Sequence, residues 1–314
     1  KLTLQNTING GDESIIFSSL YGTVVIPALD STLVTVGLTA KAFNALKSSN
    51  SLGLSFWKTF VAFTFDFVLD KAFNPNKIVA VVTGNAFQVT AYTADSVAPY
   101  LISWYADMNE DRIVLEFSEP IDQSILDVSA IKLYSDSETS LQSTFMVQLW
   151  EATIFEVDAT VITLQLSRAE SIAVKTASPL CTQRITCLLS HTAALGKDTT
   201  SYDNGKARAS SIVPTVTMLS STGYVPDQKG PQLLSYTLNM NVGEINFEFT
   251  EPVNTAAADT SAITLYQNNS ILGPNQVNIS QSTYVTSSDG VFLTIKLSLD
   301  DYISIKQNGI GANG

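Results

Sequence analysis

Between Ile113 and Phe117 the chain alternates strictly, with Ile113, Leu115 and Phe117 on one parity and Val114 and Glu116 on the other. The alternation returns at Ile245, Phe247 and Phe249, separated by Asn246 and Glu248. Period two with one apolar face predicts a half-buried β-strand. Both runs lead into Glu-Pro, at Glu119–Pro120 and Glu251–Pro252. Proline cannot donate to a ladder, so each strand is expected to end there, in a turn rich in Asp, Asn and Ser. A second short strand follows in AIKL (130–133) and AITL (262–265). Val34/Val36/Leu38, Ile162/Leu164/Leu166 and Leu293/Ile295/Leu297 then repeat the alternation, with Thr35, Thr163 and Thr294 on the opposite face.

One helical turn interrupts this β pattern. Thr39, Ser167 and Ser298 stand where an N-cap is wanted, and Glu170 and Asp301 follow three residues after the latter two, as in a capping box. The segments FNALK (43–47), SIAVK (171–175) and YISIK (302–306) put apolar residues on one side of a short helix.

These elements recur as a unit. From Asp95 and from Asp227 the chain aligns with itself, without a gap, for about forty residues. Pro99 matches Pro231, Met108–Asn109 matches Met240–Asn241, Glu119–Pro120 matches Glu251–Pro252, and Asp127 matches Asp259. A third copy opens the chain. LTLQN (2–6) parallels IKLYSD (131–136) and ITLYQN (263–268), and Asp30–Lys47 parallels Asp158–Lys175 and Asp289–Lys306. The expected organisation is a partial unit over 1–94, a complete one over 95–226 and a partial one over 227–314, each about 130 residues long when whole. On this phase the chain begins a third of the way into one unit and stops partway through another. Flanking units, or neighbouring subunits that complete the broken ends, are therefore expected. Lys1 in first position reads as a removed leader or a window onto a longer protein.

Many short strands, frequent turn signals and one brief helix per unit predict an all-β protein of tandem β-sandwiches. The pattern D-x-x-x-P-x-L-x-S-x-x-x-x-M-N, then I-x-[LF]-x-F-[ST]-E-P-[VI], then D-x-[ST]-A-I-x-L, resembles immunoglobulin-like tandem repeats. Such repeats occur in very large secreted surface proteins of algae, other microbial eukaryotes and bacteria. The resemblance is close in the units at Asp95 and Asp227 and weak over Ser48–Ala94. It implies an extracellular location and adhesive or filamentous roles, including fibrous cell-surface or flagellar hairs, and no single biochemical activity.

Composition narrows the function further. Of 314 residues, 45% are apolar and 15% charged, with a formal charge of −12. That balance opposes disorder, and an acidic surface without a Lys/Arg cluster opposes nucleic-acid binding. No apolar run reaches the roughly 18 residues of a membrane span, since Lys58, Asp66 and Asp70 break the stretch 54–73. Cys181 and Cys187 are too few for a zinc site beside the one histidine, His191, and read as a local disulfide, with two buried thiols as the alternative.

Asp95, Glu119, Asp127, Asp227, Glu251 and Asp259 recur once per unit. Carboxylates near linkers suit Ca2+, the one cofactor considered, but Asp at turns also bonds its own backbone, and no calcium-loop motif is present. Glu119 and Glu251 sit a repeat apart and make no acid–base pair, and no catalytic motif accompanies His191, so no enzyme is expected. Trp57, Phe60, Phe63, Phe65 and Phe67 crowd a segment whose counterpart in the next unit, near 187–198, is far less aromatic. They are expected to form an assembly interface or to fill their own unit's core. Asn268 and Asn278 begin glycosylation acceptor patterns. The expected role is a structural subunit of a surface filament, associating with itself or with other surface proteins. The rival expectation is an adhesin that binds glycans or a host surface through loops, with calcium holding them.

Overall fold

The computed structural model describes residues 1–311 apart from 12, 18–22, 27–31, 50, 137–144, 159, 200–201, 204–205, 208–210, 216–218, 268–274, 281–283, 286 and 289. Among the described residues the chain is built of β-strands in several sheets, with three short α-helices: α1 (Ala40–Lys47), α2 (Arg168–Thr176) and α3 (Leu299–Gln307).

The middle of the chain forms two sheets over one core. In the first sheet, strands Leu101–Asp107, Arg112–Phe117, Val161–Gln165 and Thr153–Asp158 lie side by side and antiparallel. Gly223–Val225 adds a parallel strand on the outer edge of Leu101–Asp107. In the second sheet, Ile131–Tyr134 lies between Met146–Gln148 and Leu188–His191, and Leu219–Ser220 extends the far side. Trp104, Ile113, Leu115, Phe117, Ile162 and Leu164 from one sheet meet Ile131, Leu133 and Leu189 from the other in a single buried cluster. Burying each large apolar side chain contributes about 1.5–3 kcal/mol, which is why the alternation read from the sequence matches the face turned inward.

The segment from Gln232 onward repeats these local details. Leu101 pairs with Phe117 and Trp104 with Leu115, with a bulge between Leu101 and Ser103. Leu233 pairs with Phe249 and Tyr236 with Phe247, with a bulge between Leu233 and Ser235. At the hairpin turn Asp111 has φ 53° and Gly243, its counterpart, φ 66°, so both copies use the same left-handed turn position. Here Glu244–Val253 and Gly290–Lys296 form the centre of one sheet, and Thr264–Tyr266 pairs with Gln276–Asn278 in another. Near the N-terminus, Leu2–Gln5 sits between Ser14–Phe17 and Phe60–Phe63, with Phe87–Gln88 beyond, while Thr23–Ile26 pairs with Thr35–Leu38.

One local expectation needed revision. The first strand before a Glu-Pro step ends at Phe117, as expected, but the second is continuous through Pro252 to Val253. Pro252 falls inside a register irregularity between Glu248 and Val253, where it has no ladder bond to donate. The aromatic segment around Trp57 is mixed in structure: Phe56–Lys58 is a 3₁₀ turn, Phe60–Phe63 a strand, and a turn at Thr64–Phe67 follows.

The helices begin as their N-caps require. Ser167 accepts from the Glu170 amide, and the Glu170 carboxylate accepts from the Ser167 amide, closing the capping box. Glu170 is fully buried, and one of its oxygens also accepts from the amides of Trp150, Glu151 and Ala152. Burial raises the pKa of this carboxyl, but those bonds outweigh it and hold the pKa below the ordinary glutamate value. In α3, Asp301 plays the matching part, bonding the Ser280 amide with both oxygens and the Ser298 hydroxyl with one.

Candidate functional site

Each helix carries a lysine in its last turn: Lys47, Lys175 and Lys306. A cation there suits the partial negative charge of the helix end. Lys47 and Lys175 do more, because they reach the acidic residues at the start of the following segment. Lys175 Nζ lies 2.9 Å from Asp227 Oδ2, 3.0 Å from Glu251 Oε2 and 3.2 Å from Asp111 Oδ1. Lys47 Nζ lies 2.6 Å from Asp95 Oδ2 and pairs still more closely with Glu119 Oε2. The two clusters are built from residues at matching positions of successive repeats.

Local chemistry sets each partner in place. Asp95 and Asp227 use one oxygen to cap the turn that follows, accepting from the amides of Val97 and Lys229 at 3.0 Å, and offer the other to the lysine. Glu119 and Glu251 are delivered by the Glu-Pro step. Glu119 is buried, and its second oxygen has no hydrogen-bond partner. Further bonds cross each joint. Arg168 donates to Glu248 and to the Phe249 carbonyl, Lys229 pairs with Glu110 at 2.9 Å, and Thr199 donates to the Lys47 carbonyl at 2.8 Å.

Electrostatics follows from this crowding. Burial pulls both lysine pKa values down, but hydrogen bonds to Asp95 and Glu119, or to Asp227 and Glu251, outweigh it and raise both. Burial also raises Asp95 and Asp227, yet their lysines hold both below the ordinary aspartate value. Glu251 is pushed up, first by burial and then by its neighbour Asp227. At the first joint a third carboxylate, Asp198, approaches Asp95 and Glu119, all three within 4.8 Å of one another. Burial, and then repulsion from Glu119 and Asp95, raises Asp198 to about 6.

The structure therefore divides the six carboxylates singled out from the sequence. Asp95 joins Glu119, and Asp227 joins Glu251, each around a lysine ammonium. Asp127 and Asp259 join neither cluster; they cap 3₁₀ turns, accepting from Ser129 and Ser261 amides at 3.0 and 2.9 Å. Asp95, Glu119 and Asp198 offer a hard cation three oxygens, but the Lys47 ammonium already stands among them. Lys47, Lys175 and Asp198 escaped the sequence reading. The signal for the lysines was present, since all three helical segments end in Lys at the same aligned position.

The other expected residues fall as follows. Cys181 and Cys187 form a disulfide. Trp57 and Phe65 are exposed, the latter beneath the Lys77 ammonium, whereas Phe60, Phe63 and Phe67 are half-buried, with the last two rings 5.2 Å apart. Asn278 is exposed at a strand end and accepts from the Thr264 hydroxyl; Asn268 lies outside the described residues. His191 is buried against the Thr192 carbonyl, and burial lowers its pKa. No helix among the described residues is long and apolar enough to cross a membrane.

No family model, curated protein or solved structure matches the chain.

Proposed function

We propose that this protein is an extracellular structural element, built of immunoglobulin-like β-sandwich repeats, that extends and connects within a cell-surface filament. The single observation behind this reading is the twice-built joint, in which a helix-end lysine of one repeat grips the linker aspartate and the Glu-Pro glutamate of the next. A half-buried ion-pair cluster with fixed geometry resists bending in a way that an exposed pair does not. Proline at Pro99 and Pro231 removes further freedom from each linker. The molecule's work on this reading is mechanical, holding successive sandwiches at a set angle.

Negative-stain imaging of native material tests the proposal, with filaments as the expected result. Dispersed particles, together with glycan-array binding that a chelator abolishes, would instead establish an adhesin.

A further inference from the structure

The two lysine-centred clusters differ in where their excess charge sits. Each sets three carboxylates against one ammonium. Around Lys175 all three, Asp111, Asp227 and Glu251, lie within 3.2 Å of the ammonium. The side chains of Asp111 and Asp227 are 31% and 28% exposed, so water screens them. Around Lys47 only Asp95 and Glu119 touch the ammonium. Asp198 brings a carboxylate oxygen within 4.8 Å of theirs, yet it makes no ion pair among the described residues. Asp198 is 7% exposed and Glu119 3%, so the uncompensated charge of this cluster is buried.

Both buried carboxylates are also short of donors. Glu119 Oε2 takes the lysine, but Oε1 is buried without a hydrogen-bond partner. Asp198 Oδ1 lies 3.3 Å from the Thr199 hydroxyl. That hydroxyl has one proton, and the Lys47 carbonyl, at 2.8 Å, is the nearer acceptor. A carboxylate taken out of water without a donor or a cation is costly, so positive charge entering here is strongly favoured. A route in exists. A cavity of about 200 Å³ adjoins the cluster, lined by Lys47, Asp95 and Asp198 together with Thr93 and Thr199.

We propose that Glu119 and Asp198 bind a calcium ion at this joint, with Asp95 beside them and waters from the cavity completing the shell. Calcium accepts oxygen ligands in irregular geometry and keeps waters where protein oxygens run out, whereas magnesium demands a near-ideal octahedron. The ion joins the ammonium and does not replace it. Lys47 keeps Asp95 Oδ2 and Glu119 Oε2, and one divalent charge brings three carboxylates and one ammonium to neutrality. Repulsion from that ammonium holds the affinity in the range of extracellular calcium modules, with a Kd on the order of 10⁻⁴–10⁻³ M. Nothing in this site depends on the filament reading.

Isothermal titration of the chelator-treated full chain with calcium chloride tests it. One ion per chain is expected to bind. Asp198→Asn, which removes a charge that has no ion pair, should weaken binding roughly tenfold or more, as should Glu119→Gln. Lys47→Met removes the competing ammonium and should tighten binding roughly tenfold, the opposite of what lost packing would do. Asp227→Asn, in the other cluster, should leave binding unchanged. Calcium at about ten times its Kd should raise the thermal midpoint of the wild type by about 2–3 °C over chelator and leave that of Asp198→Asn in place. Far-UV circular dichroism checks that each variant folds. A wild type that neither binds calcium nor shifts its midpoint, or an Asp198→Asn variant that binds as the wild type does, overturns the site. Magnesium binding as tightly as calcium overturns the choice of ion.

Discussion

At the scale of single residues, the consequential groups are Lys175, Glu170 and Asp198. Replacing Lys175 with Met leaves Asp227 and Glu251 facing each other without a cation. The joint should weaken by on the order of 2 kcal/mol, between the values for exposed and buried pairs. Limited proteolysis between residues 226 and 232 should then run about 30-fold faster, since cutting tracks the open population. Lys306→Met is the control, because Lys306 lies over the Tyr302 ring and not in either joint. Glu170 and Asp198 respond to pH in opposite senses. The native pKa of Glu170 lies below its ordinary value, so its contribution is present above about 4.5 and is lost as pH falls through the native value. That of Asp198 is raised from 3.8 to about 6, so the folded state binds this proton more tightly and gains stability as pH falls across that window. Asp198→Asn should therefore raise the thermal midpoint at pH 7.5 by about 2–4 °C, with the two proteins converging near pH 4 in a calorimetric scan.

At the scale of elements, the helix that ends in the joint lysine is anchored at its other end by Glu170. Glu170→Ala strips one carboxylate from the amides of Trp150, Glu151, Ala152 and Ser167. Buried donors without acceptors cost about 1–3 kcal/mol each before water enters, so a loss of about 3 kcal/mol is expected by urea unfolding. The disulfide stabilises a neighbouring element, the loop between α2 and the strand Leu188–His191. Its short span limits loop-closure entropy to about 2 kcal/mol, so Cys181→Ser/Cys187→Ser should lower stability by about that amount without unfolding the chain.

At the scale of the molecule, lysine-centred clusters tie residues of one repeat to residues of the next. These clustered charges are half-buried, whereas the Lys77–Asp66 pair is exposed, so salt should screen them unequally. Raising sodium chloride from 50 to 500 mM should therefore leave proteolysis at residues 226–232 nearly unchanged. A marked rise in cutting would show that the cluster is solvated.

The sequence by itself determined the local grammar. Alternation marked the core strands because a strand turns successive side chains to opposite faces. Ser167 and Glu170 marked the start of a helix because a short hydroxyl followed by a carboxylate satisfies amides that the helix leaves open. The two cysteines marked a local bridge by their number and proximity. Tertiary structure alone decided which repeated acidic residues share a task. Asp127 and Asp227 look alike in sequence, and both cap turns, but only Asp227 has an oxygen to spare at a place where Lys175 arrives from another repeat. Asp198 gave no signal at all, because its environment is made by Asp95 and Glu119, some eighty and more positions earlier. Charge clusters form through space, and local periodicity carries no record of which distant elements the packing of two sheets will bring together.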